Sequence, residues 1–179
     1  MVIKMVYFWI LRCSKMGFSL PATELEATLE VLAVKMPSMN VQLVMLSRLI
    51  RLVHTSIHGE LNERLHKHHL SESLWHALLA VYSRPNHEIL PSELSSILNL
   101  TRTSATRLSD ELVLNGWATR STHPYDRRKI TLKLTKAGEY LIQTVSPETN
   151  EVHRRVWSAL SEPEYEQLQQ LLTKLLTAA

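Results

Sequence analysis

The sequence predicts a mainly α-helical chain carrying one small β-hairpin, and three observations carry that prediction. Apolar residues recur every three or four positions over most of the length, the period of an amphipathic helix. Only four glycines occur in 179 residues, which disfavours an all-β fold. One short segment breaks the helical period: in 129–134, Ile130, Leu132 and Leu134 alternate with Thr131 and Lys133, as in a half-buried strand.

The elements follow in order. Residues 1–18 hold an apolar run of six, Val6 to Leu11, too short for a signal peptide and without a following A-x-A site. They read as a doubtful leader, with translation expected to begin at Met16. A helix is expected from about Pro21 to Lys35. A long one follows over Val41–His69, its stripe formed by Leu43, Leu46, Ile50, Val53, Ile57, Leu61 and Leu65. At about 1.5 Å per residue it spans roughly 40 Å, so part of its stripe needs another surface. Ser71 suits the N-cap of a helix over Leu74–Tyr82, with Trp75, Leu78 and Leu79 pointing inward. Pro85-Asn86-His87 ends it, and Pro91 opens a short helix through Leu94 and Leu98. After the turn Asn99-Leu100-Thr101 a helix runs from Arg102 to Asn115 and stops at Gly116. Trp117–Ser121, a tip containing Pro124, and Lys129–Leu134 form the hairpin. The last helices are expected from Lys136 to about Leu160, broken near Pro147, and beyond the capping box Ser161-x-x-Glu164, where Tyr165, Leu168, Leu171, Leu172 and Leu175 make an apolar stripe.

Several chemistries lose their support. A single cysteine, Cys13, excludes an intramolecular disulfide and a cysteine-based zinc cluster, and no partner marks it as a redox sensor. Neither GxGxxG nor GxxxxGK[ST] is present, and no apolar run approaches the roughly 18 residues of a membrane span. With no nucleophile elbow and no plausible triad, an enzyme is not expected. His54 and His58 have the i, i+4 spacing of helix-borne metal ligands, with His66, His68, His69 and His76 nearby in sequence. Without a cysteine or HExxH to support them they read as exposed helix polarity, and no metal or cofactor is expected. Trp75, Tyr82 and Trp157 read as core more than as a ligand box.

Charge points to a partner. The net charge is only +3, but residues 101–136 hold eight Lys and Arg against three acids, leaving the rest slightly acidic. Clustered positive charge of this kind is the footprint of a nucleic-acid-binding surface. Two short helices joined by a tight turn, then a hairpin with a basic tip, describe a winged helix–turn–helix. Its second helix fits the major groove: Ala105, Leu108 and Leu112 would face the protein, and Arg102, Thr103, Thr106 and Arg107 the DNA. At the wing, Tyr125-Asp126-Arg127-Arg128-Lys129 would reach the flanking minor groove, with Asp126 holding Arg128 in one pose.

These residues resemble the MarR (multiple antibiotic resistance regulator) family. The likeness runs through Leu94…Leu98, Ala105-Thr106-Arg107-Leu108, Asp110-Glu111-Leu112, Gly116, Arg120, Asp126-Arg127-Arg128 and Leu134-Thr135-x-x-Gly138, over about residues 40 to 176. The phrase DELVLNGW is most similar to the subgroup that represses multidrug efflux pumps, and Val113 departs from the glutamate often found after Leu112. The resemblance implies terminal helices that intertwine in a homodimer, a pseudo-palindromic double-stranded DNA operator, and release by a small lipophilic or aromatic effector. It implies that Arg128 is the minor-groove arginine, Asp126 its partner, and Arg102, Thr103, Ser104, Thr106 and Arg107 the groove-facing residues, with Arg127 and Lys129 beside them on the wing. The expected organisation is a leader (1–18), N-terminal dimerisation helices (19–69), the DNA-binding domain (70–136) and C-terminal dimerisation helices (137–179). An effector pocket is expected at Trp75, Leu79 and Tyr82. The expected setting is a bacterial cytoplasm, at the nucleoid when bound, without a membrane partner. The competing reading is a winged-helix module for architecture or protein association that answers to no ligand.

Overall fold

The structure is a computed structural model that describes the backbone of residues 22–123 and 126–178 and the side chains of 27–122 and 130–178. The leader, Met16 and Cys13 lie outside the described residues, as do Pro124, Tyr125 and the side chains of Asp126, Arg127, Arg128 and Lys129. The element order is α1 (Ala22–Lys35), α2 (Val41–His66), α3 (Glu72–Tyr82), β1 (Glu88–Ile89), α4 (Pro91–Ile97), α5 (Arg102–Leu114), β2 (Ala118–His123), β3 (Asp126–Leu134), α6 (Lys136–Trp157) and α7 (Glu162–Ala178). By contacts the chain divides into two units, one of residues 60–153 and the other of residues up to Gly59 together with Arg154 onward. Both α2 and α6 run through the division.

The 60–153 unit is built around α3. Ser71 caps it, accepting the Leu74 N–H at 3.2 Å. Leu74, Trp75, Ala77, Leu78, Ala80 and Val81 are all buried, so the helix is apolar nearly all round, as expected of one enclosed by other elements. Around it lie α4, α5, β1 and β3, which add Leu94, Leu108, Leu112, Ile89 and Leu132 to one core, joined by Leu61 and Leu65 of α2 and by Ile142 and Val145 of α6. Leu79, expected inward, is only half-buried and packs at the margin of that core.

The sheet has three strands in the order β1-β3-β2, all antiparallel. The hairpin is expected from the sequence; β1 is not. It comprises only Glu88 and Ile89, opposite Lys133 and Leu132. Ahead of it, Asn86 and His87 both hold positive φ, 56° and 52°, which is costly for residues with a side chain. The His87 ring offsets part of that cost: its Nδ1–H donates to the Tyr82 carbonyl at 2.8 Å, and it stacks on the Tyr82 ring at 4.6 Å.

Two further expectations are corrected. The alternation in β3 holds at Leu132 and Leu134 but not at its start, where Ile130 is 49% exposed while Thr131 is buried. The hairpin extends beyond the core there, so Ile130 has nothing apolar to cover it, and Thr131 is satisfied by the Ser121 hydroxyl at 2.8 Å. Nor does Pro147 break the helix, since α6 is continuous from Lys136 to Trp157. A proline in a helix interior costs about 3 kcal/mol through its missing N–H and ring clash. Buried Val145, Thr149 and Val152 flank it, and packing on both sides holds the helix together.

In the other unit α1, the first part of α2 and α7 carry apolar stripes that stay open: Val34 is 82% exposed, Leu175 61% and Leu176 81%. The helix α7 starts as expected, with the Ser161 backbone N–H and hydroxyl donating to Glu164 Oε2 at 2.8 and 2.7 Å. Those two bonds hold the Glu164 carboxyl below the usual carboxylate range. Among the described residues no helix is long and apolar enough to cross a membrane.

Candidate nucleic-acid interface

The helix α5 is fixed at both ends by its own sequence. At its start Thr101 accepts the Ser104 N–H at 3.2 Å and donates its hydroxyl proton to Ser104 Oγ at 3.0 Å. At its end Gly116 takes φ +72°, and the Trp117 N–H reaches Leu112 O while the Gly116 N–H reaches Val113 O, both at 3.0 Å. That pair of bonds is the Schellman arrangement, which needs a left-handed residue after the helix. The preceding helix closes the same way with Asn99, φ 50°, in the left-handed position and the Leu100 N–H bonded to Ser95 O. Asparagine tolerates this conformation better than most residues, so the sequence sets the angle between α4 and α5 without a glycine.

The helical period then divides α5 into two faces. Ala105, Leu108, Ser109 and Leu112 are buried, Ser109 donating back to the Ala105 carbonyl at 2.8 Å. Arg102, Thr103, Thr106 and Arg107 are exposed on the opposite side. Ser104 is half-buried and engaged by the Thr101 cap. The Thr106 hydroxyl donates to the Arg102 carbonyl at 2.9 Å, which engages its proton within the helix. This outer face offers two guanidinium groups and two small amphipathic side chains, a set able to bond guanine, phosphate and the thymine methyl.

The structure also sorts the cations that sequence counts together. Arg120 is paired with Asp110, Lys133 with Glu88 at 2.6 Å, and Lys136 with Glu139 at 2.9 Å. The Lys136 hydrogen bond holds the Glu139 carboxyl below its ordinary range, against the desolvation that raises it. Among the described residues Arg102 and Arg107 make no ion pair. Three of the eight basic groups are thus paired with carboxylates of this chain at partly or fully exposed positions, and two stand without an ion pair on α5.

The segment Leu134-Thr135-x-x-Gly138 joins this helix to α6. Thr135 Oγ1 donates to the Gly116 carbonyl at 2.7 Å and accepts the Gly138 N–H at 3.1 Å, while the Thr135 N–H donates to Trp117 O at 3.0 Å. Gly138 lies so close to the Trp117 carbonyl oxygen that any Cβ would collide with it. The motif therefore serves the junction rather than a ligand.

Of the expected pocket residues, Trp75 is 4% exposed within the core, and Leu79 and Tyr82 are half-buried against it. The rings of His54 and His58 lie 5.8 Å apart and tilted by 31°. No third histidine, cysteine or carboxylate joins them as a metal-binding group among the described residues.

Residues 70–130 match the MarR family model. The transcriptional repressor MprA of Escherichia coli (strain K12) is 38% identical over 156 residues, covering 87% of this chain and 88% of that protein. The chain belongs to the MarR family. The multiple antibiotic resistance protein MarR of the same strain is 29% identical over 136 residues, 75% of this chain and 93% of that one. Among solved structures, a mutant MarR from E. coli complexed with operator DNA superposes with a TM-score of 0.68 at 28% identity, covering 75% of this chain and 96% of that one. The S. aureus MepR–DNA complex gives a TM-score of 0.69 at 22% identity over 74% and 97%, a likeness of fold. Membership in the MarR family accounts for the winged-helix architecture and for the place of Leu134-Thr135-x-x-Gly138 behind the wing.

Proposed function

We propose that this MarR-family protein is a DNA-binding transcriptional regulator, a repressor of efflux, stress or aromatic-compound genes. It acts in the cytoplasm as a homodimer on a pseudo-palindromic operator. The observation that carries this reading is the outer face of α5, where Arg102, Thr103, Thr106 and Arg107 stand exposed with no ion pair at either arginine among the described residues. The wing residues Asp126, Arg127, Arg128 and Lys129 supply the flanking contact in this reading, with Arg128 in the minor groove. The open stripes of α1, α2 and α7 are the homodimer surface. A small lipophilic or aromatic effector, seated near Trp75, Leu79 and Tyr82, releases the DNA by favouring a half-site spacing the operator cannot match.

Fluorescence anisotropy of the protein on its own upstream DNA, with and without a panel of phenolic and lipophilic compounds, tests this directly. Arg107→Ala is expected to weaken specific binding by about 1–3 kcal/mol if it reads a base. Arg128→Ala is expected to weaken binding to all sequences and to lower the salt slope by about one. Affinity unchanged by both substitutions would refute the assignment of this surface. Binding that no compound alters would instead favour an architectural winged-helix module.

A further inference from the structure

We propose that Arg120 is a positioning residue: it braces the wing to the recognition helix through Asp110 and does not itself contact DNA. The proposal rests on the reading that α5 and the hairpin engage DNA together, and it identifies what holds them in register.

The sheet register decides where Arg120 points. In the β2–β3 ladder Ala118 faces Leu134 and Arg120 faces Leu132, and cross-strand partners share one side of a sheet. Ala118, Leu132 and Leu134 are all buried, so that side is the one covered by helices. The other side is marked by Thr119 and Ser121, whose partners are Lys133 and Thr131. Arg120 therefore leaves the sheet on its helix-covered side, and its guanidinium ends on the carboxylate of Asp110 in α5. Asp110 lies one turn beyond Thr106 and three residues beyond Arg107, next to the outer face. An unneutralised carboxylate there would repel a phosphate. Paired with Arg120, it ties helix to strand and loses that repulsion.

The turn between the two elements is already pinned, by the Thr135 hydroxyl on Gly116 O and by the Thr135 N–H on Trp117 O. One fixed turn still lets a helix and a strand splay apart. A second tie at Asp110–Arg120, ten residues apart in sequence, closes the triangle and fixes the distance between Arg107 and the wing. The pair is partly exposed, 39% at Arg120 and 56% at Asp110. Its contribution is accordingly modest and geometric rather than a large part of the stability.

The test compares wild type, Arg120→Ala, Asp110→Asn and the charge swap Asp110→Arg/Arg120→Asp, with Arg107→Ala as reference. Hydrogen exchange at the β2 amides needs no DNA: both single substitutions are expected to speed exchange at residues 118–122 and the swap to restore protection. In anisotropy titrations across salt concentrations, the double substitution Asp110→Asn/Arg120→Ala, which removes the brace without baring a carboxylate, is expected to weaken operator binding by about two- to fivefold with the salt slope unchanged. Arg107→Ala should lower that slope by about one if the arginine meets a phosphate. A slope lowered by about one in Asp110→Asn/Arg120→Ala relative to Asp110→Asn, with no rescue by the swap, would make Arg120 a phosphate contact and overturn the proposal. Unaltered exchange in both single variants overturns it as well. Failure of the wild type to bind DNA would instead count against the functional reading, and exchange would still decide the brace.

Discussion

The 60–153 unit and the helices outside it use the same apolar period to opposite ends. In α3 every apolar position except Leu79 and Tyr82 is buried by other elements of the same unit. In α7 the stripe Tyr165, Leu168, Leu171, Leu172 and Leu175 has the same spacing, yet Tyr165, Leu171 and Leu175 are 42%, 54% and 61% exposed, and Leu176 beside them is 81% exposed. A helical stripe states only that a surface must be covered. Within the 60–153 unit this chain supplies the cover. The exposed stripes of α1, α2 and α7 are many large side chains on one unit, more than the scattered apolar residues of an ordinary surface, and the proposed homodimer gives them a partner.

The sharpest way to break the contrast is to spoil the self-sufficient unit. Gly138→Ala is expected to cost about 1–3 kcal/mol by forcing α6 away from the Trp117 carbonyl. Chemical denaturation reads that loss, and an unchanged midpoint would mean the junction is slack. Leu175→Glu probes the other region. In an isolated subunit an exposed site of this kind changes stability by no more than about 0.5 kcal/mol. In a dimer sealed by α7 it buries a charge. Sedimentation velocity is expected to show the subunit mass in place of the dimer mass, with Trp fluorescence of the folded state retained. The smallest effect is expected at the α7 cap. The bonded Glu164 carboxyl is held down in pKa, so its contribution is complete above the ordinary carboxylate pKa and fades as pH falls through the lowered value. Glu164→Gln should mimic the acid form at neutral pH, seen as faster amide exchange confined to the first turn of α7.

Much of this was legible in the sequence because the signals are local. Ser71, Thr101, Gly116 and Ser161-x-x-Glu164 place helix ends within a residue or two, and the spacing of Ala105, Leu108 and Leu112 alone fixes which side of α5 is outward. What escaped depends on contacts far along the chain. The strand β1 is two residues long, too short to show a period, and exists because β3 offers it an edge. Pro147 reads as a break locally, but buried neighbours on either side override it. Ile130 follows the strand alternation and still lies exposed, because periodicity says nothing about where the core ends. The charge count treated Arg120 as one more cation, and only the ladder register shows it turned toward Asp110. The half-burial of Ser104 follows from its place in the Thr101 cap, a role the groove-facing assignment passed over.

The shared hydroxyl of Thr135 has a mechanical consequence. It accepts from the first turn of α6 and donates to the Gly116 carbonyl behind α5 at once, and Gly138 packs directly on the Trp117 carbonyl oxygen. The joint ties the start of α6, a helix of 22 residues, directly to the end of α5. A rotation of the first turn of α6 is thus passed to the end of the recognition helix rather than absorbed between the two.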